Sequence, residues 1–260
     1  LIENSMLALI NESDNTFIDQ YKVIYEFSID VETEDIANEV DITKDAFNIF
    51  VSGIDTYGSV SSVSRSDVNM VITVNPNTHK VLITSIPRDY YVTLASKNAK
   101  DKLTHAGIYG IEESVATVEN LLNIKINYYV KVNFTSLMDI VDALGGVNVY
   151  SKYSFTSKDG YYYNQGYNNV DGKKALSFVR ERSAFSEGDR TRVENQAAMI
   201  EALINKAISP TIITKYTSLL SALDGSFITN INTEDLTDFI KMQIDEMPEW
   251  TIEYISLNGS

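Results

Sequence analysis

Along the chain, apolar residues gather in short continuous runs and in stripes of helical spacing, with polar turn residues between them. AFNIFVSGID, residues 46–55, is a continuous apolar run ending on Gly53 and Asp55, the pattern of a buried strand entering a sharp turn. After the polar stretch TYGSVSSVS, SDVNMVITVNP from Ser66 reads as a second buried strand. NPNTHK is a turn, and KVLITSIPRDYY from Lys80 is a third strand, stopped by Pro87 with Arg88 and Asp89 just beyond. So short a turn predicts that strands two and three pair antiparallel. If strand one pairs antiparallel with strand two as well, Asp55, Arg65, Asp67, Arg88 and Asp89 gather at one edge of the sheet.

Further on, IEESVATVENLLN from Ile111 has the spacing of an amphipathic helix and INYYVKVN alternates as a strand. FTSLMDIVDALGG is a helix closed by Gly145 and Gly146, and VNVY is a strand. Residues 151–172, rich in Tyr, Asn and Gly, read as a loop. Its Tyr161, Tyr162, Tyr163 and Tyr167 can stack on sugar, although tyrosines on a surface loop are the plainer reading. Phe178, Arg180 and Arg182 alternate with Val179 and Glu181, so an extended backbone puts both arginines on one face. A loop over Ser183–Gly188 precedes a helix whose apolar stripe is Val193, Ala197, Ile200, Ile204, Ala207 and Ile208. Asp189, Arg192 and Gln196 share an adjoining face near its start. Helices near 187–208, 210–223 and 232–246 lead to a closing strand, EWTIEYISL. The alternation predicts an α/β fold with a mixed sheet covered on both faces. Residues 1–46, acidic and containing the strand-like YKVIYEFSI, are expected to be the end of an accessory or tethering segment, with the main domain over 47–260.

Charge sharpens this picture. The chain has 260 residues and a formal net charge of −15, which argues against nucleic acid as a partner. Only six of its residues are arginine, and Arg180, Arg182, Arg190 and Arg192 fall in one segment, with Arg65 and Arg88 upstream. Solubility does not require guanidinium, whereas binding a multiply charged phosphate favours its two parallel donors. Without cysteine, disulfides, thiolate nucleophiles and zinc–thiolate sites are excluded. His79 reads as a turn residue; His105 can line a site, although a structural histidine is the plainer reading. No run approaches the roughly 18 apolar residues a membrane span needs. The chain begins at Leu1 rather than Met and is expected to be excised from a longer protein.

GIDTYG, SRSDVNMVITVNP, SIPRDYYV, VDALGGVNV, DGKKALSFVRER and GDRTRVENQ resemble, in order and spacing, the LytR-CpsA-Psr family over residues 46–257. The resemblance implies a three-layer α–β–α sandwich with a central mixed sheet and an apolar tunnel for a prenyl chain. Candidate tunnel walls are the helices from Ile111 and Phe134 and the helix bearing Val193, Ile200 and Ile204. It implies a phosphotransferase that moves a glycopolymer (teichoic acid, capsular polysaccharide or similar) from a polyprenyl-pyrophosphate carrier to peptidoglycan. The enzyme would work on the extracytoplasmic face of a bacterial, Gram-positive membrane, held by an N-terminal anchor absent from this chain. By the same resemblance Asp55 and Asp67 handle Mg2+, while Arg65, Arg88, Arg180, Arg182, Arg192 and Gln196 bind pyrophosphate with Asp189 orienting the arginines. Asp67 or Asp89 is the candidate base. Family members commonly continue beyond ISL, so part of a C-terminal wall is expected to be missing. The same arginines would serve a non-catalytic binder of lipid-linked sugar, or a pyrophosphatase using water as acceptor.

Overall fold

A computed structural model describes residues 40–213 and 215–257. Most of the expected accessory segment, with the strand expected in YKVIYEFSI, lies outside the described residues. The three opening runs form β1 (Phe47–Ile54), β2 (Ser66–Asn75) and β3 (Lys80–Ser85); β2–β3 is antiparallel as the short turn predicts, and β1–β2 is antiparallel too, which meets the condition for gathering the strand ends. An unanticipated small pair, β4 (Tyr91–Leu94) with β5 (Ala99–Lys102), follows. Then come α1 (Leu103–Ala106), α2 (Ile111–Leu122), β6 (Tyr128–Val132), α3 (Phe134–Ala143) and β7 (Val147–Ser151).

Two expectations fail in the next stretch. The region expected to be a loop forms β8 (Phe155–Thr156), β9 (Tyr162–Tyr163) and β10 (Gly166–Val170), paired as β8–β9 and β7–β10. Its period of two is carried by tyrosine and asparagine rather than by aliphatic residues, with Tyr163 and Val170 buried and Tyr162 and Tyr167 exposed. The segment leading into the arginines is helix α4 (Gly172–Arg180), not a strand, so Arg180 and Arg182 do not share a strand face. The Asp171 side chain caps it by accepting from the Lys174 amide at 2.9 Å, and Ala175, Leu176, Phe178 and Val179 are buried along it. The polar alternation of RER mimics a strand only at its last turn. The remaining elements are α5 (Gly188–Ala207), α6 (Pro210–Ile213), α7 (Tyr216–Ala222), β11 (Ile228–Thr229), α8 (Thr233–Glu246) and β12 (Thr251–Ser256). The single helix expected over 210–223 is thus two.

The main sheet runs β11-β6-β1-β2-β3-β12, with β6 parallel to β1 and β12 parallel to β3, so it is mixed. Alternation sends Phe50, Val71 and Leu82 to one face, where they pack with Leu103, Ala106, Ile111, Val118 and Leu122 of α1 and α2. Phe47, Val51, Met70, Ile72 and Ile83 point to the other face, toward Ala197, Ile200 and Ile204 of α5 and Phe239 of α8. This is the expected sandwich of helix, mixed sheet and helix. A further apolar cluster joins α3, α4 and the β7–β10 ribbon to Met199 and Ala202 of α5. Helix α5 therefore lies between two cores and buries Thr191, Arg192, Asn195, Ala197, Met199 and Ala202, whereas of the expected apolar stripe only Ala197 is fully buried and Ala207 is exposed. Among the described residues, no helix is long and apolar enough to cross a membrane.

Candidate functional site

The arginine-bearing turn is built around Glu181, a buried acid. Its Oε1 accepts from the Arg182 and Ala184 amides at 3.0 and 2.9 Å and from the Ser183 hydroxyl at 2.7 Å, while Oε2 accepts from the Lys158 amide at 2.6 Å. Burial works against the ionised carboxylate, but the Ser183 hydroxyl and the amides of Lys158, Ala184 and Ser183 outweigh it and hold the pKa below its ordinary value. The carboxylate thus ties the end of α4 to the loop after β8. Across the turn, Asn195 and Gln196 of α5 donate to the Phe178 and Val179 carbonyls at 3.3 and 3.4 Å, satisfying acceptors that a helix end leaves open. The start of α5 is pressed close: a Cβ on Gly188 would meet the Arg182 carbonyl oxygen at 2.5 Å.

The loop after β1 is fastened to the start of α3. Asn133 and Ser136 form a capping box, Asn133 Nδ2 donates to the Gly58 carbonyl at 3.0 Å, and the Gly58 amide donates to Thr135 Oγ1 at 3.0 Å. This holds Asp55 beside the arginine turn. It also sets the Tyr57 ring against Phe134, with ring centroids 5.1 Å apart. The Arg180 guanidinium lies 4.5 Å from the Phe134 ring centre and donates to the Tyr57 hydroxyl at 3.3 Å.

Two cavities meet at these residues. The first, about 530 Å3, lies between the sheet and helices α3, α4 and α5. Its deeper wall is apolar, with Val51, Val68, Leu137, Met199 and Ile200, and Asp55, Arg180, Arg182, Arg192 and Gln196 also line it. The second, about 580 Å3, is lined by Asp67, Arg88, Asp89, Asp189, Arg190 and Glu194, among others. Val68, Arg192 and Gln196 belong to both. Arg192 is buried, its NH2 donor pairs with Asp189 Oδ1 at 3.0 Å, and its buried Nε has no hydrogen-bond partner. Burial pulls its pKa down, and the neighbouring Arg182 and Arg88 charges act in the same direction while Asp189 and Asp55 oppose them. Asp189 also lies 3.7 Å from Arg182 Nε, so one carboxylate orients two guanidiniums.

Most of the expected site residues therefore come together, distributed over two adjoining cavities rather than one. Arg88 NH1 meets Asp67 Oδ1 at 2.7 Å, and this bond with the Asp67 charge keeps the guanidinium pKa raised against burial. Asp89 is half-exposed and bound to Lys102 Nζ at 2.6 Å, which holds its carboxyl below the usual range. Arg65 is exposed just before β2 and lines neither cavity. His105 lines neither cavity; its Nδ1 lies 2.8 Å from Asp101 Oδ1, as expected of a structural histidine. Helix α2 packs on the opposite face of the sheet, so of the three expected walls only α3 and α5 border the apolar cavity. Glu181, Tyr57, Phe134 and Lys158 were not anticipated. For Glu181 the signal was present, since an acid between two arginines reads as pairing, but its bonds run to backbone amides instead.

The carboxylates fit a hard cation that is shared with phosphate. Burial, then the Asp67 charge, raises the Asp55 pKa, against the pull of Arg192, Arg180 and Arg182. A divalent cation would relieve that mutual repulsion. Arg88 at 2.7 Å and Thr104 at 3.5 Å both donate to Asp67 Oδ1, on one side of the carboxylate. Among the described residues no cluster of three or more His, Cys, Asp or Glu side chains is placed to hold a metal. Mg2+ does not need one, because it commonly takes one or two carboxylates with waters and substrate phosphates.

An arginine-lined junction of an apolar and a polar cavity thus sits on a mixed α/β sandwich. Residues 12–260 match the LytR_cpsA_psr family, and the chain belongs to that family. It is 39% identical over 195 residues to the polyisoprenyl-teichoic acid–peptidoglycan teichoic acid transferase TagU of Bacillus anthracis, covering 75% of this chain and 63% of that protein's length. The fold is similar to the crystal structure of B. subtilis TagV (TM-score 0.72, 31% identity, 84% of this chain and 86% of that chain). It is also similar to TagT bound to LI-WTA (TM-score 0.68, 28% identity, 86% and 83%).

Proposed function

We propose that this chain transfers a glycopolymer of the teichoic acid or capsular class from a polyprenyl-pyrophosphate carrier to peptidoglycan, on the extracytoplasmic face of a Gram-positive membrane. The full-length protein would be held there by an N-terminal anchor. The observation that carries this reading is Arg192, a buried guanidinium with an unused donor in the wall between an apolar and a polar cavity. In this reading the prenyl chain occupies the apolar cavity and the diphosphate reaches Arg192, Arg180, Arg182 and Arg88. A peptidoglycan hydroxyl attacks the phosphorus nearest the polymer, the diphosphate bond breaks, and polyprenyl phosphate leaves. The guanidiniums neutralise the charge that builds on the leaving phosphate. Asp55 and Asp67 would hold Mg2+, which when bound supplies further charge neutralisation at the phosphate oxygens. Asp67 and Asp89 are the two candidate bases, and each carboxylate is engaged by a cation, Asp67 by Arg88 at 2.7 Å and Asp89 by Lys102 at 2.6 Å.

The test is a transfer assay with lipid-linked glycopolymer and a peptidoglycan acceptor. Arg182→Lys and Arg88→Lys should each lose about 10²-fold in turnover although charge is kept, because lysine lacks the parallel donors. Asp67→Asn should weaken Mg2+ dependence and turnover while leaving polyprenyl phosphate binding intact. Full activity in the lysine variants, or in a metal chelator, would replace this reading with that of a binding module.

The apolar cavity makes a separate prediction. Leu137→Trp places a larger side chain into its wall and should weaken polyprenyl phosphate binding by about tenfold or more, since the buried chain contributes affinity through apolar area. Binding of inorganic pyrophosphate should not change. Tritium-labelled or fluorescent prenyl phosphate titration reads both effects, and equal lipid affinity in the variant would place the prenyl chain elsewhere.

A further inference from the structure

We propose that the outer face of the β7–β10 ribbon binds the glycan strand of the peptidoglycan acceptor, an identity that rests on the transfer reading above. The ribbon's register sets Tyr150 opposite Tyr167 and Asn148 opposite Asn169. Their neighbours Val147, Val149 and Val170 face the core, so these four side chains share the outer face. Tyr150 is 49% and Tyr167 70% exposed, and their rings meet edge to face at 5.3 Å. The four positions carry no charge, in a chain where 22% of residues are charged and acids outnumber bases 36 to 21.

Two aromatic rings flanked by two carboxamides match a neutral N-acetylhexosamine chain. The ring faces take the apolar C–H faces of sugars, and the amides exchange hydrogen bonds with hydroxyl and acetamido groups. A polyanionic teichoic acid backbone finds no cation at these four positions. The ribbon also leads to the reaction site. Just past β7, Lys152 pairs with Glu194 at 3.2 Å, and Glu194 lines the polar cavity. Tyr153 packs on Phe185 with centroids 6.0 Å apart, and the Phe185 amide donates to the Arg182 carbonyl at 3.2 Å. An acceptor strand lying on the ribbon would therefore run toward Glu194 in the polar cavity and toward the Arg182 turn that borders the apolar one. The competing explanation is that the tyrosine pair serves only to stabilise the ribbon, as cross-strand aromatic pairs do.

The experiment compares the wild-type chain with the double variant Tyr150→Thr/Tyr167→Thr, which keeps strand propensity, and with Tyr150→Phe/Tyr167→Phe, which keeps the rings. The probes are teichoic-acid-free peptidoglycan sacculi in a pull-down, a soluble N-acetylglucosamine oligomer by titration calorimetry, and poly(glycerol phosphate) as the anionic control. The threonine variant should lose about tenfold in affinity for both glycans, and the phenylalanine variant should stay near wild type. Polyprenyl phosphate binding should be equal in all three, which also reports that each is folded. Equal glycan binding in the threonine variant, absent glycan binding in the wild type, preferential binding of poly(glycerol phosphate), or self-association of the wild type that the threonine pair abolishes would each overturn the proposal. Tyrosine-dependent sacculus binding without transfer by the wild type would leave this surface standing and defeat only the transfer reading.

Discussion

Arg192→Met is expected to lower transfer by about 10²–10³-fold or more while leaving the melting temperature unchanged or slightly raised. Arg192 is almost fully buried, and burial already pulls its pKa down. Its charged partner, Asp189, is 61% exposed at the side chain. Removing the guanidinium therefore leaves no buried acid unpaired, and methionine replaces a desolvated charge with apolar volume of similar length. The unpartnered Nε marks a group positioned for a ligand rather than for the fold. Thermal melting and the transfer assay, run on the same preparation, separate the two effects. A variant that melts early would make Arg192 a structural residue and remove the main support for the diphosphate site.

Glu181→Gln should have the opposite profile, with loss of stability first and of activity as a consequence. All the groups that Glu181 engages are donors, namely the amides of Lys158, Arg182 and Ala184 and the Ser183 hydroxyl. Glutamine would turn its own NH2 toward one side of that ring of donors. A cost of about 2–3 kcal/mol follows, or a fall of about 4–12 °C in melting temperature. The pH dependence has a definite sign. The Glu181 carboxyl is held below its ordinary value of 4.5, so its contribution is complete above that pH and is lost as pH falls through the lower, folded-state value. Melting curves from pH 6 down to 3 should show a shallower acid slope for Glu181→Gln than for the wild type. Parallel curves would mean that the carboxylate adds nothing beyond what the neutral amide supplies.

How much of this was legible in the sequence depended on which force fixed each element. β2 and β3 could be paired because continuous apolar runs joined by a four-residue turn leave little choice, while the β1–β2 pairing entered only as a condition, which the structure meets. From that pairing, Asp55, Asp67 and Arg88 could be brought to one sheet edge. VNVY was legible as β7, but its partner β10 was missed because the alternation there is written in Tyr and Asn, whose exposed members look like a polar loop. Helix α4 was misread because RER alternates, while the evidence for helix lay upstream, in the Asp171 cap and the buried Ala175, Leu176 and Phe178. The division of the site into two cavities was beyond reach. It depends on α5 lying between two cores, and that is set by side chains from α3, α4 and the ribbon, far from it in sequence.

The two walls of the apolar cavity are held in different ways, and this bears on how a long chain could pass into it. Helix α5 contributes to two hydrophobic clusters, so displacing it would expose both to water, at a cost approaching that of unfolding. The opposite rim, Asp55 to Gly58 with the start of α3, is fastened largely by polar contacts: the Asn133 amide to Gly58, the Gly58 amide to Thr135, and the Phe134 amide to the Thr56 carbonyl. Water can replace such bonds one at a time. Displacing the Tyr57–Phe134 side should therefore cost less than displacing α5, so that Arg192 would keep its geometry if a chain were admitted there.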